Sequence, residues 1–163
     1  MPVRTSKAMT PKQRPFDDRC SEWTIRTGSE SDIEALLHLW CRSDNIPSVS
    51  DTPDGLRALL AHDEEFLIVA EADGRLVGSL IAAWDGWRGS FYRLAVDPEV
   101  RRRGLGTALV REGERRLRER GAIRLTANVA ATEQEAVAFW RGIGYEHHDV
   151  STRFVRVFAA DSS

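Results

Sequence analysis

The chain has 163 residues, 42% apolar and 29% charged, a composition that fits one globular domain. No apolar run approaches the ~20 residues of a membrane-spanning helix; the best, Phe66–Ala70, has strand length. The net charge of −2 argues against a general nucleic-acid binder, yet it is unevenly spread: −5 over residues 1–75 and +3 over the remainder.

Residues 1–21 are polar, contain prolines and show no leader pattern, so a flexible tail before a single domain over 22–160 is expected, in the cytoplasm. Cys20 and Cys41 form no CxxC and suggest two reduced thiols. Trp23–Arg26 reads as a first strand. Ser31-Asp-Ile-Glu34 is a capping-box pattern opening a helix through Trp40, and Pro53 starts a second short helix. Phe66–Glu71 and Leu76–Trp84 flank Asp73-Gly74 as a hairpin, and Asp85–Gly89 turns into a strand over Phe91–Val96.

A long helix is expected after Pro98, ending before Gly121. Leu105, Leu109, Gly113 and Leu117 recur at four-residue spacing on its apolar face, where Gly113 implies a close approach to the sheet. Ile123–Val129 reads as a strand, Glu133–Arg141 as a helix, and Tyr145–Val150 with Thr152–Phe158 as a final hairpin. The order is that of an α/β (α+β) protein with a mixed, mostly antiparallel sheet.

The segment Asp97-Pro-Glu-Val-Arg-Arg-Arg-Gly-Leu-Gly-Thr107 carries the most chemical information. A helix N-terminus has partial positive charge and favours acids, but here it receives three arginines. Glycine-rich turn, free amides and guanidinium groups together make an anion cradle, so a bound anion would offset the conflict. The P-loop pattern G-x-x-x-x-G-K-S/T is absent, and Gly104-Leu-Gly-Thr-Ala-Leu109 lacks the third small residue of a dinucleotide fingerprint.

Two motifs make the chain resemble the GNAT superfamily of N-acetyltransferases. Arg101-Arg-Arg-Gly-Leu-Gly106 resembles its acyl-CoA motif Q/R-x-x-G-x-G/A, and Ala136-Val-Ala-Phe-Trp-Arg-Gly-Ile-Gly-Tyr145 resembles A-x-x-F/L-Y-x-x-x-G-F/Y. Asp85-Gly-Trp-Arg-Gly89 is similar to a turn of a bacterial branch of the family. The resemblance implies a six- or seven-stranded GNAT-like sheet flanked by about four helices.

It also implies acetyl-CoA as donor, without a metal, and direct attack by a primary amine in a ternary complex. Leu94, Ala95 and Val96 would pair with the pantetheine arm, and the amides of Arg102, Arg103, Gly104, Leu105, Gly106 and Thr107 would hold the pyrophosphate beside Arg101. Asn128, Phe139 and Trp140 complete the implied cofactor contacts. The implied partners are a small-molecule or peptide amine, not nucleic acid or membrane, and a homodimer is common in similar proteins.

Trp140 stands where the family usually has a tyrosine general acid, and an indole N–H is no acid for a thiolate. Asn128 and Tyr92 are the remaining catalytic candidates, but Asn128 equally suits a strand-end amide, and alternation sets Tyr92 on the side of Leu94 and Val96, where core packing is favoured, as it is for Tyr145. Ser90 replaces a glutamate found in some members, and Glu133 stands where Asn is frequent. The missing tyrosine keeps open a non-catalytic acyl-CoA-binding regulatory module, and the arginine run a nucleic-acid binder. Asp44, Asp51 and Asp54 are candidates for drawing in a cationic amine, and Trp40, Trp84 and Trp87 for lining its pocket. His147-His148 is read as structural, because adjacent strand residues face opposite ways.

Overall fold

The computed structural model describes residues 22–159. The expected tail over 1–21, Cys20 and residue 160 lie outside the described residues. Two compact units divide between Ala127 and Asn128.

In the first unit, β1 (Thr24–Thr27), β2 (Leu67–Ala72), β3 (Arg75–Trp84), β4 (Gly89–Val96) and β5 (Leu125–Ala127) form one sheet in chain order. All neighbours are antiparallel except β4 and β5. The apolar runs of β2 and β3 are buried on both faces. On one face α1 (Ile33–Arg42) and α2 (Pro53–His62) cover Leu67, Val69, Ile81 and Ala95 with Leu36, Leu39, Trp40 and Leu56. On the other, α3 (Leu105–Glu119) buries Leu105, Leu109, Gly113 and Leu117, the expected stripe. A Cβ on Gly113 would lie 2.6 Å from Phe91 Cε1, so its glycine permits the close approach.

Several expectations change. Among the described residues the sheet has five strands, not six or seven. The segments 145–150 and 152–158 form no hairpin, and Val150 and Phe154 are exposed. Strand-like alternation does not suffice there, because a hairpin without further strands to pair with is marginal. The capping box opens a 3-10 turn (Glu30–Asp32) ahead of α1, two residues before Ser31: the Asp32 carboxylate accepts from the Ser29 N–H at 2.9 Å. Arg26 grips the same carboxylate with two bonds of 2.8 Å, which also ties β1 to this turn. Asp97-Pro98 opens only a 3-10 turn (Pro98–Val100), and α3 begins at Leu105.

In the second unit α4 (Gln134–Gly142) is the regular element. Trp140 meets Tyr145 edge-on at 4.9 Å and Phe139 at 5.5 Å. No described helix is long and apolar enough to cross a membrane.

Candidate functional site

Two features of β4 shape the site. Its parallel ladder with β5 stops at Phe91↔Ala127, while β4 itself continues to Val96. Tyr92–Val96 therefore have no β5 partner. Against β3, the register passes from Ile81↔Tyr92 to Ser79↔Ala95, placing one extra residue on β4. This is a β-bulge at Arg93 and Leu94, with Arg93 in the left-handed region at φ 53°.

The bulge also changes the phase of the strand. Tyr92 shares the face of Ile81 and Ala95, not that of Val96, and is 45% exposed. The expected core role of Tyr92 is thus overturned; it is the first β4 residue past the β5 ladder.

Arg93 is held at both ends. Its guanidinium makes paired bonds of 3.0 and 2.6 Å to Asp51 and a third of 2.8 Å to the Ile46 carbonyl. Its own carbonyl accepts from the Ser79 hydroxyl at 3.0 Å, and Ser79 accepts from Trp40 Nε1–H at 2.9 Å. The connection between α1 and α2 is thereby tied to the bend in β4.

Beyond Val96 the chain enters the arginine turn. Asp97 is buried and bonds Arg42 at 3.0 Å and the Glu99 N–H at 3.0 Å. Burial alone would raise its pKa, but these two partners outweigh it and hold the carboxyl below its ordinary range. Arg101 braces the turn, donating to the Val96 and Ser43 carbonyls at 3.2 Å each. Arg102, at φ 62°, and Arg103 are exposed.

Gly104 caps α3 at φ 84°, and a Cβ there would meet nothing within 4 Å. The first helical bond joins Ala108 N–H to the Gly104 carbonyl, so the amides of Gly104, Leu105, Gly106 and Thr107 are those the helix leaves without an internal acceptor. No acid lies in the first turn. Open space, amides without an internal acceptor and exposed guanidinium groups suit an anionic group.

The sequence model of the acetyltransferase (GNAT) family matches residues 33–145. The chain belongs to the GNAT acetyltransferase family. Solved structures with a similar fold include Ard1 from Thermoplasma volcanium, 25% identical over 75% of this chain and 81% of that one, with a TM-score of 0.68. The PaiA N-acetyltransferase from Thermoplasma acidophilum, solved in complex with coenzyme A, is 19% identical over 78% and 92%, with a TM-score of 0.69. The ribosomal-protein-S18-alanine N-acetyltransferase from Escherichia coli is 23% identical over 76% and 77%, with a TM-score of 0.61.

The other GNAT-derived expectations fall on both units. Leu94, Ala95 and Val96 lie on β4, with Leu94 inside the bulge. Asn128 is exposed, just beyond the end of β5 rather than within a strand. Phe139 and Trp140 lie on α4, where Tyr145 packs on Trp140.

The loop aspartates are largely engaged. Asp51 is committed to Arg93, Asp54 pairs with Arg57 at the exposed start of α2, and Asp44 is exposed at φ 56°. Trp40 is a core residue and Trp84 is partly buried, whereas Trp87 is 66% exposed beneath Arg88 in the β3–β4 turn. That turn is at the end of β4 opposite the bulge, so it does not line the same site. Among the described residues no group of three or more His, Cys, Asp and Glu could hold a metal.

The sequence reading did not identify Trp40, Ser79, Arg93 and Asp51 as one cluster. The available signals were a serine centred in the apolar run Leu76–Trp84 and an arginine in β4.

Proposed function

We propose that this protein moves an acetyl group from acetyl-CoA to a primary amine, by direct attack in a ternary complex. One observation carries the reading: β4 runs on past the end of its β5 ladder at Phe91 and delivers the chain into an acid-free, arginine-rich helix N-terminus capped by Gly104. An extended donor with an amide-bearing arm and a pyrophosphate suits both parts. Membership of the GNAT family and the coenzyme A bound by the PaiA neighbour support the same donor.

In this reading Leu94, Ala95 and Val96 offer backbone groups to the pantetheine arm. Gly104–Thr107 amides with Arg102 and Arg103 hold the pyrophosphate, while Arg101 braces the turn. Acetyl-CoA supplies an activated thioester. A lysine-type amine has an unperturbed pKa of ~10.4, so it gives a proton to water before attack. Nitrogen bonds to the thioester carbon, a backbone N–H of β4 steadies the oxyanion, the nitrogen of the adduct gives its second proton to water, and the C–S bond breaks. The thiolate takes a proton from solvent, giving an amide and free CoA thiol.

The S18-alanine acetyltransferase acts, by its name, on a protein alanine, so peptide N-termini belong in the acceptor screen beside diamines and free amino acids. The test combines calorimetry with CoA and thiol release from acetyl-CoA across that panel. Amine-dependent release with acetylated product by mass is expected. CoA binding with no release for any amine would instead favour the regulatory module that Trp140 keeps in view.

A further inference from the structure

The bend in β4 is held by a directional chain of hydrogen bonds. An indole N–H only donates and a carbonyl only accepts. Ser79, fully buried, must therefore accept from Trp40 at 2.9 Å and pass its own proton to the Arg93 carbonyl at 3.0 Å. Apolar residues would fill the same space at this depth. A tryptophan needs a partner when buried, but this partner hands the bond on to the one bulged peptide of β4.

That peptide has a defined direction. In a trans peptide the C=O of residue 93 and the N–H of residue 94 point opposite ways. With the Arg93 carbonyl drawn to Ser79 on β3, Leu94 N–H faces away from β3, toward the side on which β4 has no β5 partner. Left-handed backbone at a non-glycine residue is strained and persists only when its surroundings impose it. Here the imposition comes from Ser79 on the carbonyl and from Asp51 and the Ile46 carbonyl on the guanidinium.

We infer that Trp40 and Ser79 are positioning residues that aim Leu94 N–H at the carbonyl oxygen of a bound acyl thioester. The inference rests on the acetyl-transfer reading above and names both the donor group and the side chains that fix it. Arg93 extends the same brace to the loop between α1 and α2, so the donor and that loop move together.

The test uses acetyl-CoA labelled with carbon-13 at the carbonyl, bound to the full chain, with the carbonyl stretch read by isotope-edited infrared spectroscopy. Wild type should lower the stretch relative to the same thioester in solution. Ser79→Ala removes both bonds of the chain, and Trp40→Phe keeps an aromatic ring, smaller than the indole, and the serine hydroxyl but removes the first donor. Both should return the stretch toward the solution value while CoA affinity stays within a few-fold. With an amine found by the thiol-release screen, turnover should fall by about 100-fold, the effect of small misplacements at a reacting centre, with acceptor KM unmoved.

Variants that keep the wild-type stretch overturn the positioning role and leave the acetyltransferase reading intact. So does a loss of turnover accompanied by equal losses of melting temperature and CoA affinity, the mark of a merely structural role. If Ser79→Ala does not fold, Trp40→Phe decides. A wild type that binds acetyl-CoA without lowering the stretch refutes the Leu94 assignment alone, whereas one that does not bind it refutes the donor reading beneath.

Discussion

A methyl group at position 113 would stand 2.6 Å from Phe91 Cε1 and 3.0 Å from Leu80 Cδ2, both in the packed interface between α3 and the sheet. On an exposed helix face, Gly→Ala gains ~1 kcal/mol. At this site overpacking costs ~1–3 kcal/mol and reverses the sign. Gly113→Ala is therefore expected to destabilise by about 1 kcal/mol in denaturant unfolding, and a stabilised variant would show that the interface is looser than described. Trp140 poses a chemical question at the same scale. Its ring packs edge-on against Phe139 and Tyr145, and solvent is assigned the proton for the departing thiolate. Trp140→Tyr restores the phenol usual at this place in the family. Its thiol-release rate should change by far less than the ~10²–10⁴-fold that a positioned acid supplies. A gain of that size would show that proton delivery limits the natural protein.

At the scale of elements, α3 joins the site to the core. Gly104 at φ 84° strains any L side chain, so Gly104→Ala serves as the control for Gly104→Asp. Both carry the backbone penalty, but only aspartate places negative charge among the free amides. CoA affinity by calorimetry should fall at least tenfold further for Gly104→Asp, about 1.4 kcal/mol, and equal affinities would displace the pyrophosphate from this cradle. Farther along α3, Glu112 bonds Arg115 and Arg116 at 2.8–2.9 Å. Arg115 first, then Arg116, hold its carboxyl down from 4.5 to about 2 despite partial burial. A depressed folded-state pKa gives stability that is complete above 4.5 and fades as pH falls toward 2. Glu112→Gln should cost about 1 kcal/mol at pH 7, for two intrahelical pairs. The variant and wild-type denaturation curves should converge near pH 2, and a pH-independent gap would point to packing instead.

At the scale of the whole molecule, what the sequence disclosed follows the range of the interactions. The α3 stripe and the β2–β3 turn at Asp73-Gly74 are local patterns, and both formed where the residues pointed. The bulge is not local: Trp40 and Ser79 are 39 residues apart, Asp51 and Arg93 42, and Arg42 and Asp97 55. Arg93 takes a left-handed backbone with no glycine to announce it, so the phase of Tyr92 could not be read from alternation. The Asp97-Pro98 pair looked like a helix start for a sound reason, since the Asp97 carboxylate does cap the Glu99 N–H, but only a 3-10 turn follows.

The same long-range view separates a CoA site from a nucleic-acid site, because the two differ in how many charges they engage. The arginine turn is a small positive patch on a chain of net charge −2, and Arg101 is already occupied by two carbonyls. Few counterions can then be released on binding, so CoA affinity should weaken by less than about tenfold between 50 and 200 mM salt. A duplex binder neutralising six or more phosphates would lose ~10³-fold or more over that range. Calorimetric titration of CoA and fluorescence anisotropy of a labelled duplex at both salt concentrations measure this directly. Tight duplex binding with a steep salt slope, uncompeted by CoA, would turn the arginine turn into a nucleic-acid contact and leave the acetyl-CoA cradle without its charge.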